Sequence, residues 1–252
     1  MKTIRKYIPA RNPLVVKTLS AMLMLAAAMV IVSCSENDDT VNEWENWQEK
    51  NDTYWTNIYQ QAQQKIAAGD TTWKIIPCWT MTGQNATDST RTPTLDPTDY
   101  IVIHVENKGE GTTSPLYTDS VRIHYLGRMI PSPTFSSGYV FDASYDYNEP
   151  YNLLTMRPYT ASPNAFIEGF TTALLNMHKG DRWQVYIPYA LAYGSSTPTS
   201  SSSSSNGVTY SSSTSTTYGI QPYSDLIFDI TLVDFYKPGE KVPVAYSKKS
   251  AW

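Results

Sequence analysis

Three histidines, His104, His124 and His178, and two cysteines, Cys34 and Cys78, are the residues of this chain most often used for metal or nucleophilic chemistry. Their spacing supports neither. No H-E-x-x-H or C-x-x-C run occurs, so neither a metal site nor any other cofactor is expected. No G-x-S-x-G turn, Gly-rich phosphate loop or paired-carboxylate signature appears either. Aromatic side chains are the remaining resource, among them Tyr125, Phe141, Tyr151, Phe166, Phe170, Tyr193 and Phe228. By periodicity alone each is ordinary core, and Asp142 alone is a turn residue.

The elements that must position them centre on Asn164–Gly194. Phe170, Leu174 and Met177 recur at i, i+4 and i+7, which predicts a short helix with one apolar stripe. Lys179-Gly180-Asp181 has the turn chemistry to stop it. Trp183, Val185 and Ile187 then alternate with Arg182, Gln184 and Tyr186, as a half-buried strand requires. Tyr100–Glu106 alternates in the same way. Trp73–Thr80 reads as a strand that Pro77 confines to a sheet edge, and Gly83–Asp99 reads as a linker. Residues 40–69 read as helix, with Thr40-x-x-Glu43 as a capping box, Gly69 as the stop and Asn51-Asp52-Thr53 as a candidate break. Trp44, Trp47, Trp55, Ile58, Ala62 and Ile66 approximate one face. That face either packs on its own domain or forms a homodimer or client-binding arm through residues 40–69. The fold class expected is α+β, a sheet wrapped around one short helix behind an N-terminal helical extension.

Six segments, in order, resemble one family. They are Val121–Gly127, Val140–Ser144, Phe166–Phe170, Met177–Gly180, Ile187–Gly194 and Leu226–Leu232. The chain resembles the FKBP family of peptidyl-prolyl isomerases over Thr98–Lys237. The resemblance implies an FKBP-like curved antiparallel sheet around a short helix, and catalysis without a covalent step. Rotation about an X–Pro bond faces a resonance barrier of about 18–20 kcal/mol. A dry apolar pocket favours the twisted amide, in which that resonance is lost. The resemblance implies catalytic roles for Tyr125, Phe141, Asp142, Ile167, Tyr193 and Phe228. The Ile167 N–H and the Tyr193 hydroxyl would hold substrate carbonyls, and Asp142 would stand at the rim, oriented by Tyr125. It implies substrate-binding walls at Tyr151, Leu153, Phe166, Phe170 and Ile220. Phe170 replaces the family's frequent floor Trp, and Tyr151 and Leu153 stand where Phe is usual. Two insertions depart from the pattern, Met129–Tyr139 and the Ser/Thr-rich residues 195–218.

Residues 1–33 carry five cations and no acid, and end in an apolar run from Leu19 to Val32. They read as a signal peptide. Ile31-Val32-Ser33-Cys34 resembles a lipobox, so Cys34 is the expected acylated first residue, with Ser35 pointing to the outer membrane. Removing the five cations takes the net charge from −4 to −9, which argues against nucleic-acid binding. Cys78 is then the one thiol left, expected as a buried small apolar residue rather than a disulfide partner. Three short stretches, at 39–41, 70–72 and 88–90, resemble an O-glycosylation sequon. The expected layout is signal peptide 1–33, helical extension and linker 34–97, isomerase domain 98–238 and tail 239–252. The expected function is folding assistance to proline-containing exported chains. The alternatives are a catalytically weak binding or chaperone module on the envelope, and a structural surface lipoprotein.

Overall fold

A computed structural model describes residues 41–81, 94–152, 156–198 and 219–242. The signal peptide, Cys34, Leu153, most of the Ser/Thr-rich insertion, the end of the tail and the sequon at 88–90 lie outside the described residues. In chain order the elements are α1 (Trp47–Ala67), β1 (Trp73–Pro77), β2 (Tyr100–Asn107), β3 (Ser120–Met129), β4 (Val140–Ala143), β5 (Tyr159–Ala161), α2 (Glu168–Leu174), β6 (Arg182–Ile187) and β7 (Leu226–Tyr236). All strand pairs are antiparallel, in the order β1-β2-β6-β7-β3-β4, and β5 pairs with the first part of β3. Pro77 lies in the edge strand β1, where its missing N–H breaks no ladder.

Period-2 alternation sends Trp183, Val185 and Ile187 of β6 to one face. There they meet Ile101 and Ile103 of β2, Phe228 and Ile230 of β7, and Phe170 and Leu174 of α2, all in one buried cluster. Gly169 lets the helix lie this close. A Cβ there would stand 2.3 Å from Ile187 Cγ2. Asp181 closes the turn after the helix, accepting from Gly109 N at 2.7 Å and His178 N at 2.8 Å.

The opposite face of the sheet is covered by α1, whose Trp55, Ile58 and Ala62 bury Val102 of β2. Strand β2, expected to be half-buried, is therefore buried on both faces at Val102. The helix also departs from its reading in two respects. It runs unbroken through Asn51-Asp52-Thr53. A buried Asn is tolerated there because its amide donates to Trp47 O at 2.6 Å and its oxygen accepts from Asp225 N at 2.8 Å. Glu43 does not act as a helix cap. Its carboxylate accepts from the Ser132 hydroxyl and from Thr134 N, tying the N-terminal segment to the Met129–Tyr139 insertion. The helix ends before Gly69, as expected. Its tryptophans have partners within the chain, with Trp47 donating to Ser224 Oγ and Trp55 to Pro97 O. Cys78 is buried and unpaired.

Candidate active site

Four rings pack in succession between α2 and strands β4 and β7. Phe166, in the turn before α2, stacks on Phe170 of that helix, with centroids 4.5 Å apart and planes 24° apart. Phe170 meets Phe228 of β7 edge-to-face at 4.9 Å, and Phe228 meets Phe141 of β4 at 5.6 Å. Such perpendicular contacts match the edge of one ring to the face of the next. Gly127 of β3 makes the Phe141–Phe228 contact possible. A Cβ on it would lie 2.6 Å from the Phe228 ring and 2.7 Å from Phe141. Phe170 and Phe228 are buried, whereas Phe141 and Phe166 are half-buried.

Polar groups stand at one rim. Tyr125 of β3 lies edge-on to Phe170 at 5.9 Å, and its hydroxyl donates to Asp142 Oδ2 at 2.8 Å. Strict alternation would send Phe141 and Asp142 to opposite faces. The β3–β4 register skips Phe141, pairing Gly127 with Asp142 and Arg128 with Val140. This bulge turns both neighbours toward the site. Burial, and then the Asp142 carboxylate, push the Tyr125 phenol well above its ordinary value. The same two causes raise Tyr193, so both hydroxyls stay protonated as donors. Ile167 immediately precedes the first turn of α2. Its N–H therefore has no intrahelical acceptor.

The structure thus brings together Tyr125, Phe141, Asp142, Phe166, Phe170 and Phe228, with Ile167 and Tyr193 at the margins. Ile220 is buried in the main core cluster. Tyr151 departs from the expectation, because its contacts lie away from this ring cluster. Its hydroxyl donates to Thr231 Oγ1 at 3.1 Å, and its ring packs on Tyr145 and His124 beneath the Arg182 guanidinium. Thr231, His124 and Arg182 occupy the strand positions alternate to the core, which places Tyr151 on the outer face of the sheet. The phenol finds a hydroxyl and a cation there, partners that the apolar ring stack does not offer. Tyr159 of β5 joins the rings instead, 6.0 Å from Tyr125 and 6.4 Å from Phe166. A three-residue strand carries too little periodicity to announce this, and only its pairing with Val121–Ile123 puts Tyr159 there.

The FKBP-type peptidyl-prolyl cis-trans isomerase family model matches residues 111–233. The chain is 35% identical over 101 residues to FK506-binding protein 1A of Neurospora crassa, covering 40% of this chain and 74% of that one. It is 33% identical over 133 residues to the macrophage infectivity potentiator of Trypanosoma cruzi, covering 53% and 52%. It is 32% identical over 130 residues to the FKBP-type 22 kDa peptidyl-prolyl cis-trans isomerase of Escherichia coli K12, covering 52% and 47%. The chain thus spans about half the length of these last two relatives. Segments from both sides of the ring stack lie inside the matched region, and by this similarity the chain belongs to the FKBP-type peptidyl-prolyl cis-trans isomerase family.

Proposed function

We propose that this protein is a peptidyl-prolyl cis-trans isomerase acting on proline-containing segments of exported polypeptides. The observation that carries the reading is a packed cluster of four rings, two of them buried, with the hydrogen-bonded Asp142 carboxylate beside it. A planar X–Pro amide is charge-separated by resonance, and a twisted one is not. Seating the proline ring on Phe170 and Phe228 removes water that would stabilise the planar form. The Ile167 N–H and the Tyr193 hydroxyl supply donors for the carbonyls that flank the proline. Asp142, held by Tyr125, supplies a fixed negative charge next to the twisting bond. No nucleophile and no cofactor enters this scheme.

The N-terminal sequence extends the proposal to a place in the cell. An acylated Cys34 would anchor the domain to the outer membrane, and the acidic mature chain suits polypeptide clients rather than nucleic acid. Changing Cys34→Ser should leave the protein unprocessed or released from membranes. Retention in the membrane fraction after signal cleavage would count against the lipid anchor.

The activity is tested by NMR exchange on a short X–Pro peptide together with FK506 binding. Wild-type protein should accelerate exchange and bind the macrolide, and Phe228→Ala should weaken both beyond its loss of folded fraction. Folded protein that binds FK506 yet leaves exchange at the uncatalysed rate would instead be a binding module.

A further inference from the structure

The Ser/Thr-rich connection leaves the site after Tyr193-Gly194 and returns before Ile220, and both of its described stems are held by α1. On the outgoing side, the Tyr189 hydroxyl is hydrogen-bonded to Gln48 and Asp52 of the helix. On the returning side, Trp47 Nε1 donates to Ser224 Oγ at 2.8 Å, and the fully buried Asn51 accepts from Asp225 N at 2.8 Å. The stems also hold each other. Asp225 Oδ1 accepts from Tyr189 N at 2.8 Å, Tyr223 N donates to Gly194 O at 2.8 Å, and the Tyr189 and Tyr223 rings meet edge-to-face at 5.5 Å. Gly194 N closes the outgoing stem on Tyr189 O at 2.9 Å.

Trp47, Gln48, Asn51 and Asp52 share one face of the first two helical turns. A helix needed only to cover the sheet would carry apolar residues there, as it does further along at Trp55, Ile58 and Ala62. Burying an amide and a carboxyl instead is unfavourable unless their hydrogen bonds are made. Here the Asn51 amide donates within the helix to Trp47 O, while its oxygen and Asp225 Oδ1 accept from the segments that start β7 and carry Tyr193.

We propose that α1 is a brace for the rim of the active site, and that Asn51 and Asp225 are positioning residues that hold Tyr189–Gly194, and with it Tyr193, in the substrate-ready conformation. The proposal rests on the isomerase reading. Ordering a flexible backbone segment costs conformational entropy. A rim already ordered by the helix spares the substrate that cost on binding. Loosening the brace should therefore weaken substrate capture without touching the rings where the amide twists.

The test is Asn51→Leu in the full chain, which leaves the Asp225 N–H without its acceptor. KM for a short X–Pro peptide should rise about tenfold with kcat nearly unchanged. Amide hydrogen exchange should accelerate at residues 189–194 and stay unchanged in β3. Asp225→Ala should behave in the same way, and Asp225→Asn, which keeps an oxygen for Tyr189 N, should recover most of the loss. A merely structural role would lower kcat in proportion to folded fraction and leave KM alone, and that result would overturn the proposal. So would unchanged exchange at 189–194 in both loss variants. Wild-type protein at the uncatalysed rate overturns the isomerase reading itself, while the exchange pattern still decides whether the helix holds the rim.

Discussion

Tyr125 donates its hydroxyl to Asp142 Oδ2 at 2.8 Å across a β-bulge, fixing a carboxylate beside the ring stack. The carboxylate is exposed, so its orientation rather than its burial is what the bond supplies. Changing Tyr125→Phe keeps the ring contacts with Phe170 and Phe228 and removes only that bond. Stability should fall by no more than about 1.5 kcal/mol, while kcat/KM on an X–Pro peptide should fall about tenfold. Asp142→Ala should cost at least as much activity. Urea denaturation and exchange NMR on the same samples separate the two effects, and unchanged kcat/KM in both variants would remove the carboxylate from the mechanism.

Tyr159, not Tyr151, packs beside Tyr125 and Phe166. Tyr159→Ala removes a ring beside Tyr125 and Phe166 from a side chain 37% exposed, so it should weaken FK506 binding about tenfold at little expense in stability. Tyr151→Phe loses its bond to Thr231 on the outer face and should cost about 1 kcal/mol of stability. FK506 affinity should be unchanged in that variant. Titration calorimetry on both variants checks this, and the reverse ranking would restore Tyr151 to the pocket.

Burial pushes the Asp225 carboxyl up to about 8, with the nearby Asp52 charge adding to the rise and the Tyr189 N–H opposing it. An unfolded Asp titrates near about 3.9. Between those values the folded chain holds a proton that the unfolded chain has released. Stability should therefore be greatest below about pH 4 as far as this group is concerned. It should fall as pH rises toward about 8, by at most about 1.4 kcal/mol per pH unit. Asp225→Asn cannot ionise. Its stability relative to wild type should increase with pH over that window, as read by urea denaturation at several pH values. Parallel pH profiles for the two proteins would show that Asp225 is already ionised in the native state.

Elements whose signal is local were legible in the sequence. The alternation of Trp183, Val185 and Ile187, the helical pair Phe170 and Leu174, the stop at Gly69 and the edge position of Pro77 each follow from repeat length or backbone chemistry within a few residues, whereas Met177, expected on the same helix, lies past its end. The ordered motifs likewise include Phe141, Phe166, Phe170 and Phe228, rings that the structure brings into contact. Other features depend on what comes to lie against a residue, and the tertiary structure decided those. Whether Phe141 and Asp142 face the same way is a matter of strand register, which a single skipped residue reverses. Whether Tyr151 or Tyr159 joins the ring cluster depends on which face of the sheet the segment after Asp142 crosses, and that depends on the competing partners Thr231, Arg182 and Phe166. Asn51 reads locally as a helix breaker. It is accepted because the Asp225 N–H, 174 positions away, needs an acceptor at that point.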